Sequence, residues 1–290
     1  MTAADVARGD GEPRGSLPLV VVLLLPIVFV NTIGFLVPVF NLARMSFFEA
    51  QGTGAMQEVY TLATWMKMIS DSFYAELILN TVVTSLFITL MTLLCSYPIA
   101  LYVHRSSGLW RSILLVLVIA PLLTSAVVRT FGWIVILFEN GLVNNALAGM
   151  GFSRMRLMFN QTGVVIGLTE ILMPYMILAL MAGFGRLDPR VEEAAASLGA
   201  SPTRVFARVV LPLTLPGIAL GSLLCFVLAV SSFITPKLLG GGRVFLLATE
   251  IYDSAIVTLN WPVASALSIL VLFIFGTALL LYTRALNPAT

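Results

Sequence analysis

Six long apolar stretches, separated by short polar ones, limit what this chain can become. They lie near 17–40, 79–103, 113–138, 163–185, 212–236 and 264–284. About 20 apolar residues rising 1.5 Å each match a hydrocarbon core of about 30 Å. Inside lipid no water satisfies backbone N–H and C=O groups, so segments of this kind have to be helical. The chain is 59% hydrophobic and only 10% charged, against roughly 25% charged in a soluble domain. The fold expected is an all-α membrane protein with six transmembrane helices. The first stretch exceeds the apolar core of a signal peptide and lacks a small-residue cleavage site, so it reads as a retained helix. Pro26, Pro98, Pro121, Pro174 and Pro216 fall in or at the ends of these stretches, where packed neighbours can satisfy the carbonyls a proline frees.

The remaining composition narrows function mainly by exclusion. A formal net charge of +2 argues for no nucleic-acid partner. Cys95 and Cys225 both sit in apolar runs and read as small hydrophobes. With His104 the single histidine, placed at the interface in a loop, neither a transition-metal site nor a Ser/His/Asp or Cys/His constellation can be assembled. The glycine run Gly240-Gly241-Gly242 lacks a following Lys-Ser/Thr and is not a phosphate loop. The chain therefore reads as non-catalytic, with no metal and no cofactor of its own.

One polar stretch, 188–212, is dense in charge and in helix punctuation. Asp188 before Pro189 is an N-cap followed by a first-turn proline. Glu192-Glu193-Ala194-Ala195-Ala196 propagates a helix, and Gly199 supplies the left-handed residue that ends it. Ser201-Pro202 repeats the start signal, and Pro212 and Pro216 mark the return to an apolar stretch. The prediction is two short helices set at an angle by a glycine-centred turn. Glu192 and Glu193 suit the helix dipole, or pair with a basic residue of a partner. Arg204 and Arg208 lie one helical turn apart, as partner contacts or headgroup anchors.

Basic residues near helix ends orient the chain. Arg8, Arg14, Arg105, Arg111, Arg186, Arg190, Arg204, Arg208 and Arg284 fall on one side. Arg44, Lys67, Arg129, Arg154, Arg156, Lys237 and Arg243 fall on the other. The short loops 104–112 and 186–211 carry the bias, so both termini and the 188–212 stretch are expected in the cytoplasm. The segment 41–77, with Glu49, Glu58, Asp71 and Glu76 among aromatics, is then an external loop: solvated, or a docking surface. The organisation expected is a polar tail over 1–16, the first helix and external loop over 17–78, and a core over 79–285.

Charged groups within the apolar stretches are costly, about 2.5–3.5 kcal/mol at mid-bilayer on insertion scales, and generally face a cavity or partner. Glu170, four residues before Pro174, is the foremost of these. It lines a route for a cationic solute, or bonds a neighbouring helix. Arg129, placed toward the external end of its stretch, snorkels, pairs with Glu139, or meets solute. Asn80, Thr84, Ser231, Ser232 and Thr235 add candidate polar lining, and Asp253 either attracts cations externally or is solvated.

The sequence Glu193-Ala194-Ala195, three residues, Gly199, nine residues, Val209, one residue, Leu211-Pro212 resembles the E-A-A-x3-G-x9-I-x-L-P loop of permease subunits of binding-protein-dependent ABC importers. Val209 replaces the usual isoleucine. Arg129-Thr130-Phe131-Gly132-Trp133, Asn140-Gly141-Leu142-Val143-Asn144, the run from Ser232 to Arg243 and Ile251-Tyr252-Asp253 resemble the first permease of spermidine/putrescine-type importers. The resemblance covers about 77–285. It implies that the 188–212 stretch is a coupling loop docked on a separate ATPase subunit pair carrying ATP and Mg. It further implies a second, related permease, an external solute-binding protein and a bacterial inner-membrane location. The solute implied is small and polyamine-like, with other amines, organic acids or opine-like solutes as alternatives. An autonomous secondary transporter would need an internal inverted repeat, and none is discernible.

Overall fold

The computed structural model describes residues 16–50 and 56–286; the tail with Arg8 and Arg14 lies outside them. Six helical segments among these are long and apolar enough to cross a membrane, the number expected, but the third is Ala126–Gly149 rather than the 113–138 stretch. Their packing is built on three helices: α3 (Ser72–Arg105), α7 (Gln161–Gly183) and α10 (Leu211–Ser231). α7 buries residues all round its circumference, including Val164, Leu168, Met176 and Leu180, so it forms the axis of the bundle.

Small residues allow that packing. A Cβ placed on Gly183 would lie 2.4 Å from the Cα of Gly217, and one on Gly221 would meet the Sδ of Met176 at 2.6 Å and the Cβ of Ala179 at 3.3 Å. Ala179 and Gly183 on α7 thus face Gly217 and Gly221 on α10, each pair four residues apart. In lipid, where burial gives little drive for helix association, such small-residue faces let backbones approach and gain dispersion contact.

Several boundaries differ from expectation. The 17–40 stretch continues as α1 (Ser16–Met45). The segment 41–77 is not one loop. After α1 comes an antiparallel hairpin, β1 (Phe48–Ala50) and β2 (Met56–Tyr60), with Phe48 opposite Tyr60. Then come α2 (Ala63–Ser70) and the start of α3 at Ser72. Asp71 caps α3 by accepting from the Phe73 N–H at 3.0 Å, which lengthens that helix beyond its apolar stretch. The hairpin is held at α1 by the guanidinium of Arg44 over the Phe48 ring, 5.2 Å from its centroid. His104 lies in the last turn of α3, not in a loop, with its ring edge-on to Phe184.

The 113–138 stretch is split. α4 (Gly108–Ile119) passes into a tight turn over Ala120–Leu123, and α5 (Ala126–Leu137) starts afresh, capped by Ser125. Pro121 cannot donate to the carbonyl of Leu117 and its ring crowds it, so one helix cannot run through. The 212–236 stretch breaks for the same reason: Pro236 has no N–H for Ser232. α10 stops at Ser231 and a separate α11 (Ile234–Gly240) follows. Short α6 (Leu142–Gly149) follows α5, α12 (Leu247–Tyr252) follows α11, and α13 (Trp261–Leu286) ends the described chain.

Replacing Gly183 or Gly217 by Ala should lower the detergent-solubilised protein's thermal stability by about 1–3 kcal/mol through overpacking. Gly34→Ala and Gly276→Ala, at helical glycines with nothing within 4 Å of an added Cβ, should be neutral or slightly stabilising in the same melting assay.

Candidate functional site

Two constellations stand out, at the loop end of the bundle and within it. At the loop end, α8 (Pro189–Ser197) is capped by Asp188, whose carboxylate accepts from the Arg190 N–H at 2.9 Å. Gly199 follows with φ +83°, and α9 (Pro202–Val205) begins at the second cap-proline pair. The second helix is not a separate short rod. α9 runs through a widened π-helical turn at Phe206–Val210 directly into α10. The extra residue in that turn lies just ahead of Pro212, where a regular helix would press the proline ring on the carbonyl of Arg208. Val209, Leu211 and Pro212 therefore belong to a continuous helical arm.

One side of this hairpin is packed and the other is bare. Leu187, Val205 and Val210 are buried together, with Ala195 and Ala200 against them. Tyr97 of α3 meets Phe184 and Phe206 edge-on, at 5.7 and 5.8 Å between centroids. Its hydroxyl is 3.0 Å from that of Thr214. Arg105 of α3 donates to Glu192 at 2.6 Å, so Glu192 is engaged within the chain. Glu193, Ala194, Ala196, Arg204 and Arg208 face outward, and Leu198 at the apex is 89% exposed. Glu193 has no ion-pair partner among the described residues.

Within the bundle, Glu170 of α7 accepts from two groups of α5: Trp133 Nε1 at 3.1 Å and Arg129 Nη1 at 3.3 Å. Arg129 accordingly does not snorkel or pair with Glu139. Restarting the helix at Ala126 puts it level with Glu170, well inside the bundle. Its side chain is 12% exposed, while that of Glu170 is 32% exposed. The Arg129 Nε is buried with no acceptor. Glu170 borders a cavity of about 280 Å³ between α3, α4 and α7, lined otherwise by Tyr102 and apolar groups such as Leu117, Pro121 and Met173. The break in the 113–138 stretch shapes its wall.

The other candidates are distributed elsewhere. Thr235 is buried and hydrogen-bonds Thr130 at 2.9 Å, joining α11 to α5; it lines no open space. Asn80 donates to the Phe245 carbonyl, and Gln161 donates to Thr84. Ser231 bonds back to the Val227 carbonyl. Ser232 is partly buried at the α10–α11 break. Asp253 is neither free nor simply solvated: Lys237 Nζ donates to it, at 2.6 Å to Oδ2. Beside that pair, Tyr252 stacks on Phe233 with centroids 5.2 Å apart. Burial pushes the Glu250 carboxyl above its usual range, and the negative charge of Asp253 adds to this, against the Ser254 hydrogen bond and Lys237. Arg105–Glu192 and Lys237–Asp253 escaped sequence reasoning because their partners have no helical spacing that would signal them. No group of three or more His, Cys, Asp and Glu gathers among the described residues in a way that could hold a metal ion.

The intramembrane pair yields a test by mutation. Glu170→Met or Arg129→Met alone should destabilise the solubilised protein by about 1–3 kcal/mol, below the 3–5 of a fully buried pair because Glu170 is partly solvated. The double substitution should recover most of that loss in the same melting assay, since neither charge is then left unpaired.

Comparison with known proteins fits this geometry. Residues 16–290 match the family described as binding-protein-dependent transport system inner membrane component. The spermidine/putrescine transport system permease protein PotB of Salmonella typhimurium is 32% identical over 266 residues, 89% of this chain and 92% of that protein. PotB of Haemophilus influenzae is 33% identical over 252 residues, 86% of this chain and 88% of that protein. Among solved structures, a chain of a bacterial alginate ABC transporter, in complex with an alginate pentasaccharide-bound periplasmic protein, superposes with a TM-score of 0.71. It is 18% identical, with 93% of this chain and 94% of that one covered, and so attests to the fold alone.

Proposed function

Because the chain belongs to the family of binding-protein-dependent transport system inner membrane components, we propose that it forms half of the translocation pathway of an ATP-driven importer for a small, polyamine-like solute. It is a permease component, a transport subunit rather than an enzyme. Both termini and the 188–212 loop lie in the cytoplasm in this reading. There the loop docks on one of a pair of ATPase subunits, which bind ATP and Mg. A second, related permease completes the pathway, and an external solute-binding protein delivers the solute.

The observation that carries the reading is the loop's two-faced construction. Its inner face is packed on α3 and α10 and pinned by Arg105–Glu192. Its outer face offers Glu193, Ala194, Ala196 and the exposed Leu198. Small side chains admit close approach to a groove, the apex leucine fills it, and Gly199 sets the angle between the arms. Because α9 continues into α10, displacement of the apex is passed along a stiff helix rather than lost in a flexible link. ATP-driven approach of the two ATPases would move both loops together and swing the pathway from inward-open to outward-open.

A polyamine-like solute is supported by the relatives' names and by Glu170, a partly exposed carboxylate beside an intramembrane cavity. Ser232 at the α10–α11 break and the Asp253–Lys237 pair are further elements of the proposed route, and Arg129 acts there by balancing Glu170. That balance equally favours a second reading, another small solute, since the site's carboxylate carries little uncompensated charge.

Reconstituted in liposomes with its ATPase pair and second permease, the chain should support ATP-dependent uptake of spermidine delivered by the binding protein. Gradient-driven uptake by the chain alone would contradict the proposal. Gly199→Val places a β-branched residue at φ +83°, at a cost of about 1–2 kcal/mol or more. It should cut ATP-driven uptake about tenfold while membrane insertion, scored by protease protection, stays normal.

A further inference from the structure

At the end of the bundle remote from the coupling loop lies a cavity of about 340 Å³ walled by Leu137–Glu139, by the extended chain over 154–159 and by Arg243. We propose that this cavity is the seat for an acidic side chain of the external solute-binding protein. The proposal rests on the orientation given above, which puts this end outside.

The walls are held in place. Asn144, fully buried, donates to the carbonyls of Phe138 (3.2 Å) and Met155 (2.9 Å) and accepts from the Met155 N–H (2.9 Å). One side chain thus ties the α5 end to the 154–159 segment. The Phe159 N–H donates to the Leu239 carbonyl at 2.8 Å. Its ring lies against Gly241, where an added Cβ would sit 2.3 Å away. That contact fixes the turn carrying Arg243. Leu157 and Met158 are buried beneath as the floor.

The charge lining these walls has one dominant sign. Arg154, Arg156 and Arg243 face the cavity with Glu139 as the single acid. Arg154 is oriented by donating to Asn140 Oδ1 at 2.8 Å. Arg156 and Arg243 are exposed and have no ion-pair partner among the described residues. Arginines in short external loops run against the bias that orients membrane proteins, so three at one rigid concavity call for a reason other than topology. A polyamine cation would be repelled. Planar, always-charged guanidinium groups suit carboxylates, which they grip with paired hydrogen bonds. The cavity has room for a side chain and not for a helix. It is made by loops capping α5, α7 and α11 at the end face, where a soluble protein can reach it. An acidic protrusion on the binding protein meets each of these conditions and would be steered in by long-range attraction.

The assembled transporter in nanodiscs, titrated with its binding protein while ATP hydrolysis is followed, tests this. The double variant Arg156→Glu/Arg243→Glu spares Arg154 and breaks no side-chain hydrogen bond among the described residues, so folding is retained. Its half-saturating concentration of binding protein should rise about tenfold or more, and salt should weaken wild-type stimulation but not the variant's. Basal hydrolysis and the maximal stimulated rate should be unchanged. An unchanged half-saturation overturns the proposal. So does a difference that disappears in phosphatidylcholine nanodiscs but persists with phosphatidylglycerol, which would assign the cavity to lipid headgroups. In spheroplasts, Arg156→Cys in a Cys95→Ser background should react with a membrane-impermeant maleimide. Failure to react until the cells are lysed overturns the orientation and the surface together; reaction from outside with unchanged half-saturation overturns the surface alone.

Discussion

The backbone contact between Gly183 and Gly217 fixes how the bundle's two central helices meet. It lies where α7 ends and α10 has just begun, so the segment between them leaves and re-enters the bundle from one clamped point. No Cβ fits on either glycine without displacing the opposite backbone. Above the clamp, Ala179 and Gly221 keep the two helices close; below it, Tyr97, Phe184 and Phe206 fill the space with aromatic edges. The hairpin at 188–205 can be well ordered because its two roots cannot separate. In the proposed mechanism, this is what turns a push on the apex into movement of a helix pair.

The interior of the bundle shows a second economy. The chain is broken at Pro121 and again before Pro236, and both breaks lie beside polar side chains that need partners. The first brings Arg129 and Trp133 onto Glu170, and the second brings Thr235 onto Thr130. A charge pair in lipid is tolerated where each member satisfies the other. Here the satisfaction is incomplete on one side: Arg129 keeps an orphan Nε, and Glu170 retains access to a cavity. An unpaired polar atom in such a low-dielectric network carries a desolvation cost that its partners do not offset.

Much of the architecture is legible in the sequence alone, because the length of an apolar stretch is set by bilayer thickness. The capped helix at 189–197 and the left-handed Gly199 were equally legible, since caps and positive φ are local chemistry. What could not be read was everything set by contact between distant segments. Pro212 reads as a terminator in isolation, yet a single widened turn lets the helix continue. Arg129 reads as an end-of-helix residue until the break at Pro121 carries it inward. Asp71 reads as a loop charge in isolation, yet it caps α3. Thr235 read as lining, and only the neighbouring Thr130 accounts for its burial. The candidate site was thus visible as residue types, and its pairing was not.

In the proposed mechanism the loop and the α7–α10 pair move as one body. Spin labels at Ser197 on the outer side of α8 and at Leu224 on α10, in a Cys95→Ser background, would report it by pulsed dipolar distance measurement on the assembled transporter. Between nucleotide-free and ATP-trapped states, the distance within this chain should stay constant and narrowly distributed, while that between the Ser197 labels and the loop of the second permease shortens. A within-chain distance that shifts or broadens as the loops approach would mean that the hairpin swivels on its roots, and would contradict rigid transmission.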